Sequence, residues 1–138
     1  MSDRRLRVAI AGLALVGVGI TAYLVVVRYS DAGIFCSSGG CETVQHSKYA
    51  KVAGIPVAIL GLVGYLLILA SAALRSELAR IGGAIVALVG FVFGMYLIWV
   101  QLEKIGATCD WCLASDGVLT LLLIATGLRV AEMWRPDQ

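Results

Sequence analysis

An all-α membrane protein, built as an antiparallel bundle of four transmembrane helices, is the fold class this sequence predicts, and three observations predict it. The 138 residues are 60% hydrophobic and only 14% charged, against roughly 25% charged in soluble domains. The charges leave uncharged windows of 20 residues (Val8 to Val27), 23 (Val52 to Leu74) and 22 (Ile81 to Leu102), each enough to cross a ~30 Å hydrocarbon core at ~1.5 Å per residue. Seven of the 11 basic residues, Arg4, Arg5, Arg7, Arg75, Arg80, Arg129 and Arg135, fall where such a bundle has one face. Continuous apolar runs, whose backbone must satisfy its own hydrogen bonds in lipid, favour helices over a barrel.

The first span is expected over residues 8–28. A basic start before an apolar run also resembles a secretory signal, but 20 apolar residues exceed an h-region of about 7–15 and no small-x-small cleavage site follows. The expectation is a retained helix. The second span is expected over 53–74, with Gly54 and Pro56 at its start, since proline is tolerated in a first helical turn. Arg75 and Arg80 flank a tight connection to a third span over 81–102. The fourth uncharged window, Gly117 to Leu128, has only 12 residues, too few to span, so the helix must reach upstream. Its expected range is 109–129, which brings Cys109, Asp110, Cys112 and Asp116 to the membrane boundary. An acid at such depth is a functional candidate by default.

By the positive-inside rule the arginine-bearing face is cytoplasmic. Both termini are then cytoplasmic, and residues 29–52 form one long outer loop. Within that loop Ser37, Ser38, Gly39 and Gly40 read as a flexible turn, and Glu42 to Lys51 as a short interfacial helix. Gly90 and Gly94 form a small-xxx-small pair on the third span, although glycine is common in membrane helices generally. No repeat or second domain is visible, so residues 1–138 read as a single membrane domain in a cell inner (cytoplasmic) membrane. A net charge of +2 carries no nucleic-acid signature, and no nucleic-acid partner is expected.

All four cysteines sit at or beside the outer segments. Cys109-Asp-Trp-Cys112 places two thiols one helical turn apart, where a helix N-terminus can favour one thiolate while the other resolves it. Two cysteine pairs could also hold a structural zinc ion, and a non-enzymatic protein with static disulfides or a zinc site is the alternative reading. An oxidising compartment favours disulfides over metal, so redox chemistry is expected and a metal is not. Cys36 and Cys41 enclose four residues. Closing so small a loop removes little unfolded-state entropy, and a short strained disulfide suits exchange better than stapling.

The outer pair followed by Cys41-Glu-Thr-Val-Gln-His-Ser47, the run from Gly54-Ile-Pro-Val to Tyr65, and the late Cys109-x-x-Cys112 together resemble the vitamin K epoxide reductase family in its bacterial form, over nearly the whole chain. The resemblance implies a relay in which an extracytoplasmic thioredoxin-like dithiol protein reduces the loop pair, the loop pair reduces Cys109/Cys112, and these reduce a membrane quinone of the menaquinone, ubiquinone or phylloquinone type. It implies Cys36 as the thiol facing the partner, Cys41 as the shuttle to Cys109, and Cys112 as the thiolate facing the quinone. Ser47 matches the family serine six positions after the second loop cysteine and is a candidate quinone contact. Asp116 stands near the substrate-binding tyrosine of animal members, so plain quinone reduction is expected rather than reduction of the epoxide. Four residues after Cys112, it shares a helical face with that thiol. Trp111 is a candidate to stack on the ring, or else an interfacial residue. Many bacterial relatives carry a fused thioredoxin-like domain; this chain ends at Gln138, so a separate redox partner is expected.

Overall fold

The computed structural model describes residues 3–30, 51–52, 55–105 and 110–134. Four long helices dominate it: α1 (Asp3–Ser30), α2 (Val57–Ala73), α3 (Glu77–Val100) and α4 (Asp110–Met133). Strands β1 (Lys51–Val52) and β2 (Ile55–Pro56) pair antiparallel, Lys51 opposite Pro56 and Val52 opposite Ile55. The expected number of helices is met, and three of the four are long and apolar enough to span a membrane. The interfacial helix expected over 42–51 lies outside the described residues, except for Lys51, which is in β1.

Segments Arg4–Val26, Glu77–Lys104 and Asp110–Glu132 are long and apolar enough to cross a membrane, whereas α2 has only 17 residues. It starts at Val57, four residues after the start of the expected span. The residue before a proline avoids the α region and the proline ring has no N–H to donate, so the Ile55–Pro56 strand stays extended and the helix begins beyond it. Large apolar side chains are exposed on every helix, among them Val16, Leu67, Val92 and Leu121. In water such a surface would aggregate; in lipid it is the expected exterior.

Helix contacts run in opposite order along each consecutive pair. On α1 and α2, Arg7 meets Ala72, Gly17 meets Tyr65 and Thr21 meets Gly61. On α3 and α4, Gly90 meets Leu119 and Gly94 meets Asp116. A Cβ on Gly17 would overlap the Tyr65 ring, and one on Gly83 would overlap the Ser71 side chain. These glycines let backbones approach where a side chain from the facing helix needs the space. Gly12 and Gly19 have nothing within 4 Å of such a Cβ, so there glycine has no packing role.

The bundle is solid at one end and hollow at the other. Ile10, Ala14, Tyr65, Ile68, Ala72, Ala87, Leu122 and Ala125 form the core, nearer the end where α1 and α3 begin. That end is closed by two arginines. Arg129, 2% exposed, donates from Nη1 to the Ser71 carbonyl at 2.9 Å and from Nη2 to the Leu74 carbonyl at 2.7 Å. Arg7 donates from Nε to Ala72 O at 2.8 Å and from Nη2 to Ala73 O at 3.3 Å. The four carbonyls that helix geometry leaves unsatisfied at the α2 C-terminus are thus all bonded, by cations placed at the negative end of the helix dipole. Ser76 then starts α3, its hydroxyl accepting from Ala79 N–H at 3.1 Å.

Candidate functional site

At the hollow end a cavity of about 510 Å3 lies among all four helices, within the range of small-molecule sites. Its walls are mostly apolar. The polar side chains on them are Thr21 from α1, Tyr65 from α2, Gln101 at the head of a single π-helical turn (Gln101–Ile105) that extends α3, and Cys112, Ser115 and Asp116 from α4. The last three occupy one helix face because their spacing is that of i, i+3 and i+4 neighbours, and Leu119 continues the stripe.

The position of that face is fixed across the bundle. The Tyr65 hydroxyl lies 2.8 Å from the Ser115 carbonyl, to which it donates, and 2.7 Å from the Ser115 hydroxyl. Tyr65 is 2% exposed and its ring fills the space beside Gly17, so it is seated by α1 and holds α4. Asp116 is seated by α3, where a Cβ on Gly94 would overlap its carboxylate. The start of α4 is held by Trp111, whose ring tilts at 43° on Tyr23 of α1 with centroids 4.8 Å apart. Trp111 therefore packs on α1, and the cavity walls do not include it.

The cavity is elongated. On α3 its wall runs from Ile85 to Gln101, about 24 Å at ~1.5 Å per residue. It is closed on the α1 side by Thr21 and Leu24, both buried, and open between α2 and α3, where the lining residues Leu60, Ile85 and Val89 are 38%, 55% and 63% exposed. Phe93 lines it, but Tyr96 and Trp99 stack along the exposed outer side of α3, and the Lys104 ammonium lies 5.5 Å from the Trp99 ring centre. An aromatic pair beside a lysine is a typical membrane-boundary anchor.

Of the candidate residues read from the sequence, Cys112 and Asp116 share this cavity and Trp111 stands beside the start of its helix. Cys36, Cys41, Ser47 and Cys109 lie outside the described residues. Tyr65, Ser115, Thr21 and Gln101 add polar lining that no sequence motif marks. The i, i+3, i+4, i+7 stripe through Cys112, Ser115, Asp116 and Leu119 carries the signal for Ser115, whereas the partnership with Tyr65 depends on how two helices dock.

Residues 8–126 match the vitamin K epoxide reductase family. The chain belongs to that family. It is also similar to the thiol-disulfide oxidoreductase LTO1 of Arabidopsis thaliana, with 31% identity over 109 residues that cover 69% of this chain and 29% of the relative. The chain thus spans less than a third of that protein's length. Family membership and three described helices long and apolar enough to cross a membrane mark this chain as a membrane protein of that family.

Proposed function

We propose that the chain is a quinone-coupled thiol–disulfide oxidoreductase that supports disulfide formation outside the cytoplasm. Cys36 and Cys41 take two electrons from a thioredoxin-like dithiol partner, Cys41 passes them to Cys109, and the Cys109/Cys112 pair delivers them to a membrane quinone. The observation that carries the reading is Cys112 on the wall of an apolar cavity shared by four helices. Each protein step is attack of a thiolate on a disulfide sulfur, which conserves electrons and releases one thiolate for every disulfide bond broken.

The residues present fit a quinone. A flat ring with a hydrocarbon tail needs apolar walls and a few polar groups at one end, and the polar side chains of this cavity cluster around Cys112 and Asp116 while Ile85 to Phe93 supply the apolar length. When bound, the quinone supplies an acceptor for two electrons and two protons. The chain's own contribution is positional: Tyr65 fixes the register of α4 through Ser115, and Gln101 and Asp116 stand on the same wall as Cys112, while the family pattern proposes Ser47, outside the described residues, as a further quinone contact. The opening between α2 and α3 suits a reactant arriving from lipid.

Orientation follows from charge. Arg4, Arg5, Arg7, Arg75, Arg80 and Arg129 belong to the solid end, which supports a cytoplasmic location for it. Cys112 then faces the extracytoplasmic side of the inner membrane, with both termini inside and residues 1–138 acting as one membrane domain.

The test is an anaerobic assay with a reduced thioredoxin-like protein and a short-chain quinone. Wild type should oxidise the partner only when quinone is present, and Cys112→Ala should abolish this. Partner oxidation that is independent of quinone, or equal in wild type and Cys112→Ala, rejects the proposal.

A further inference from the structure

Asp116 is a carboxyl group set four residues beyond Cys112, on the same helix face and the same cavity wall. The wall carries no lysine, arginine or histidine among the described residues. Arg129, on the same helix, is 13 residues away and engaged with Ser71 and Leu74, about 20 Å along the axis. Placing an acid at this depth without a cation is costly, yet α3 makes room for it at Gly94, where any side chain would collide with the carboxylate. Tyr65 and Cys112 are the titratable side chains that share the wall with it. The facing residues of α3 and α1, Gly94, Thr21 and Gln101, do not titrate. A carboxyl group so placed has one chemical capacity that its amide would lack, which is to hold a proton.

We propose that Asp116 is the proton-handling residue of the cavity: it takes the proton from the Cys112 thiol and passes it to an oxygen of the bound quinone. The inference rests on the quinone-coupled reading above. The balance is complete within that reading. Two thiols, Cys109 and Cys112, lose two electrons and two protons as their S–S bond forms, and the quinone gains both to become the hydroquinone. One proton travels by way of the Asp116 carboxyl and the other leaves the Cys109 thiol. The transfer spares Cys112 from releasing its proton to bulk water through a low-dielectric wall.

The test compares full-length wild type, Asp116→Asn and Asp116→Glu by two measurements on the same purified samples. In the first, no quinone is added: the reduced protein is alkylated with iodoacetamide across pH and modification of Cys112 is followed site by site with mass spectrometry. The midpoint for Cys112 should fall by about one pH unit in Asp116→Asn, because the neutral amide removes a negative charge that opposes the thiolate, and return towards wild type in Asp116→Glu. In the second, oxidation of Cys112 by a short-chain quinone is followed in a single anaerobic turnover. Asp116→Asn should lose about 10²-fold in maximal rate with the half-saturating quinone concentration unchanged, and Asp116→Glu should recover at least part of the loss. An unmoved alkylation midpoint, or a variant that merely needs more quinone, overturns the proposal. Should wild type fail to react with quinone, the quinone-coupled reading fails by itself, and the alkylation profile still decides whether the ionisation of Cys112 is coupled to Asp116.

Discussion

The Tyr65 hydroxyl is bonded to both the carbonyl and the hydroxyl of Ser115, at 2.8 and 2.7 Å, which ties α2 to α4 one turn beyond Cys112. Tyr65→Phe keeps the ring that fills the space beside Gly17 and removes only this link. A net loss of about 1 kcal/mol is expected, read as a lower unfolding temperature in detergent. With the register of α4 loosened, quinone-dependent oxidation of Cys112 should also fall, and Ser115→Ala should have the smaller effect because the carbonyl partner remains.

Gly94 is needed by the side chain opposite it. Gly94→Ala puts a methyl group where the Asp116 carboxylate lies, so quinone-dependent turnover should drop, and the overpacked wall should cost roughly 1–3 kcal/mol of stability. Gly12→Ala is the matched control. Nothing lies within 4 Å of its new Cβ, and better helix propensity should leave stability unchanged or raise it by up to about 1 kcal/mol. Thermal unfolding and turnover measured on both variants separate packing from chemistry.

How much of this was legible beforehand follows from what each feature depends on. The helices could be read because lipid demands uncharged runs, and the charges that end them are plain in the chain. Cys112 and Asp116 could be paired because four residues along a helix is a local relation. The bond between Tyr65 and Ser115 could not, since it joins residues 50 positions apart whose meeting depends on how closely Gly17 lets α1 approach. The arginines were legible as topology signals, but nothing local says that Arg7 and Arg129 divide four successive α2 carbonyls between them. The start of α2 at Val57 was visible in principle, in the preference of the residue before Pro56 for extended backbone.

The arginine clamp leads to its own expectation. Arg129→Ala leaves the buried Ser71 carbonyl and the part-buried Leu74 carbonyl at the α2 C-terminus without this donor, a loss of about 2–4 kcal/mol on the scale of hydrogen bonds to charged groups. Arg129→Lys should recover little, because one ammonium cannot reproduce the planar fork that reaches both oxygens. Arg4 is exposed, and Arg4→Ala should fall within about 0.5 kcal/mol of wild type. Detergent-solubilised thermal melts of the three variants check the order.

Metal analysis of the purified protein distinguishes redox cysteines from a structural site. The redox assignment predicts no stoichiometric zinc and unaltered melting after chelator treatment. A four-cysteine zinc site predicts about one zinc per chain and loss of stability on its removal.

The most direct measurement follows disulfide formation and quinone consumption together in the reduced, isolated protein under anaerobic conditions, with Cys112 read by mass spectrometry. One Cys109–Cys112 disulfide should form for each quinone reduced, and none in Cys112→Ser. Quinone reduction that leaves Cys112 a thiol, or Cys112 oxidation that proceeds equally without quinone, would contradict the assignment of the cavity as the redox site.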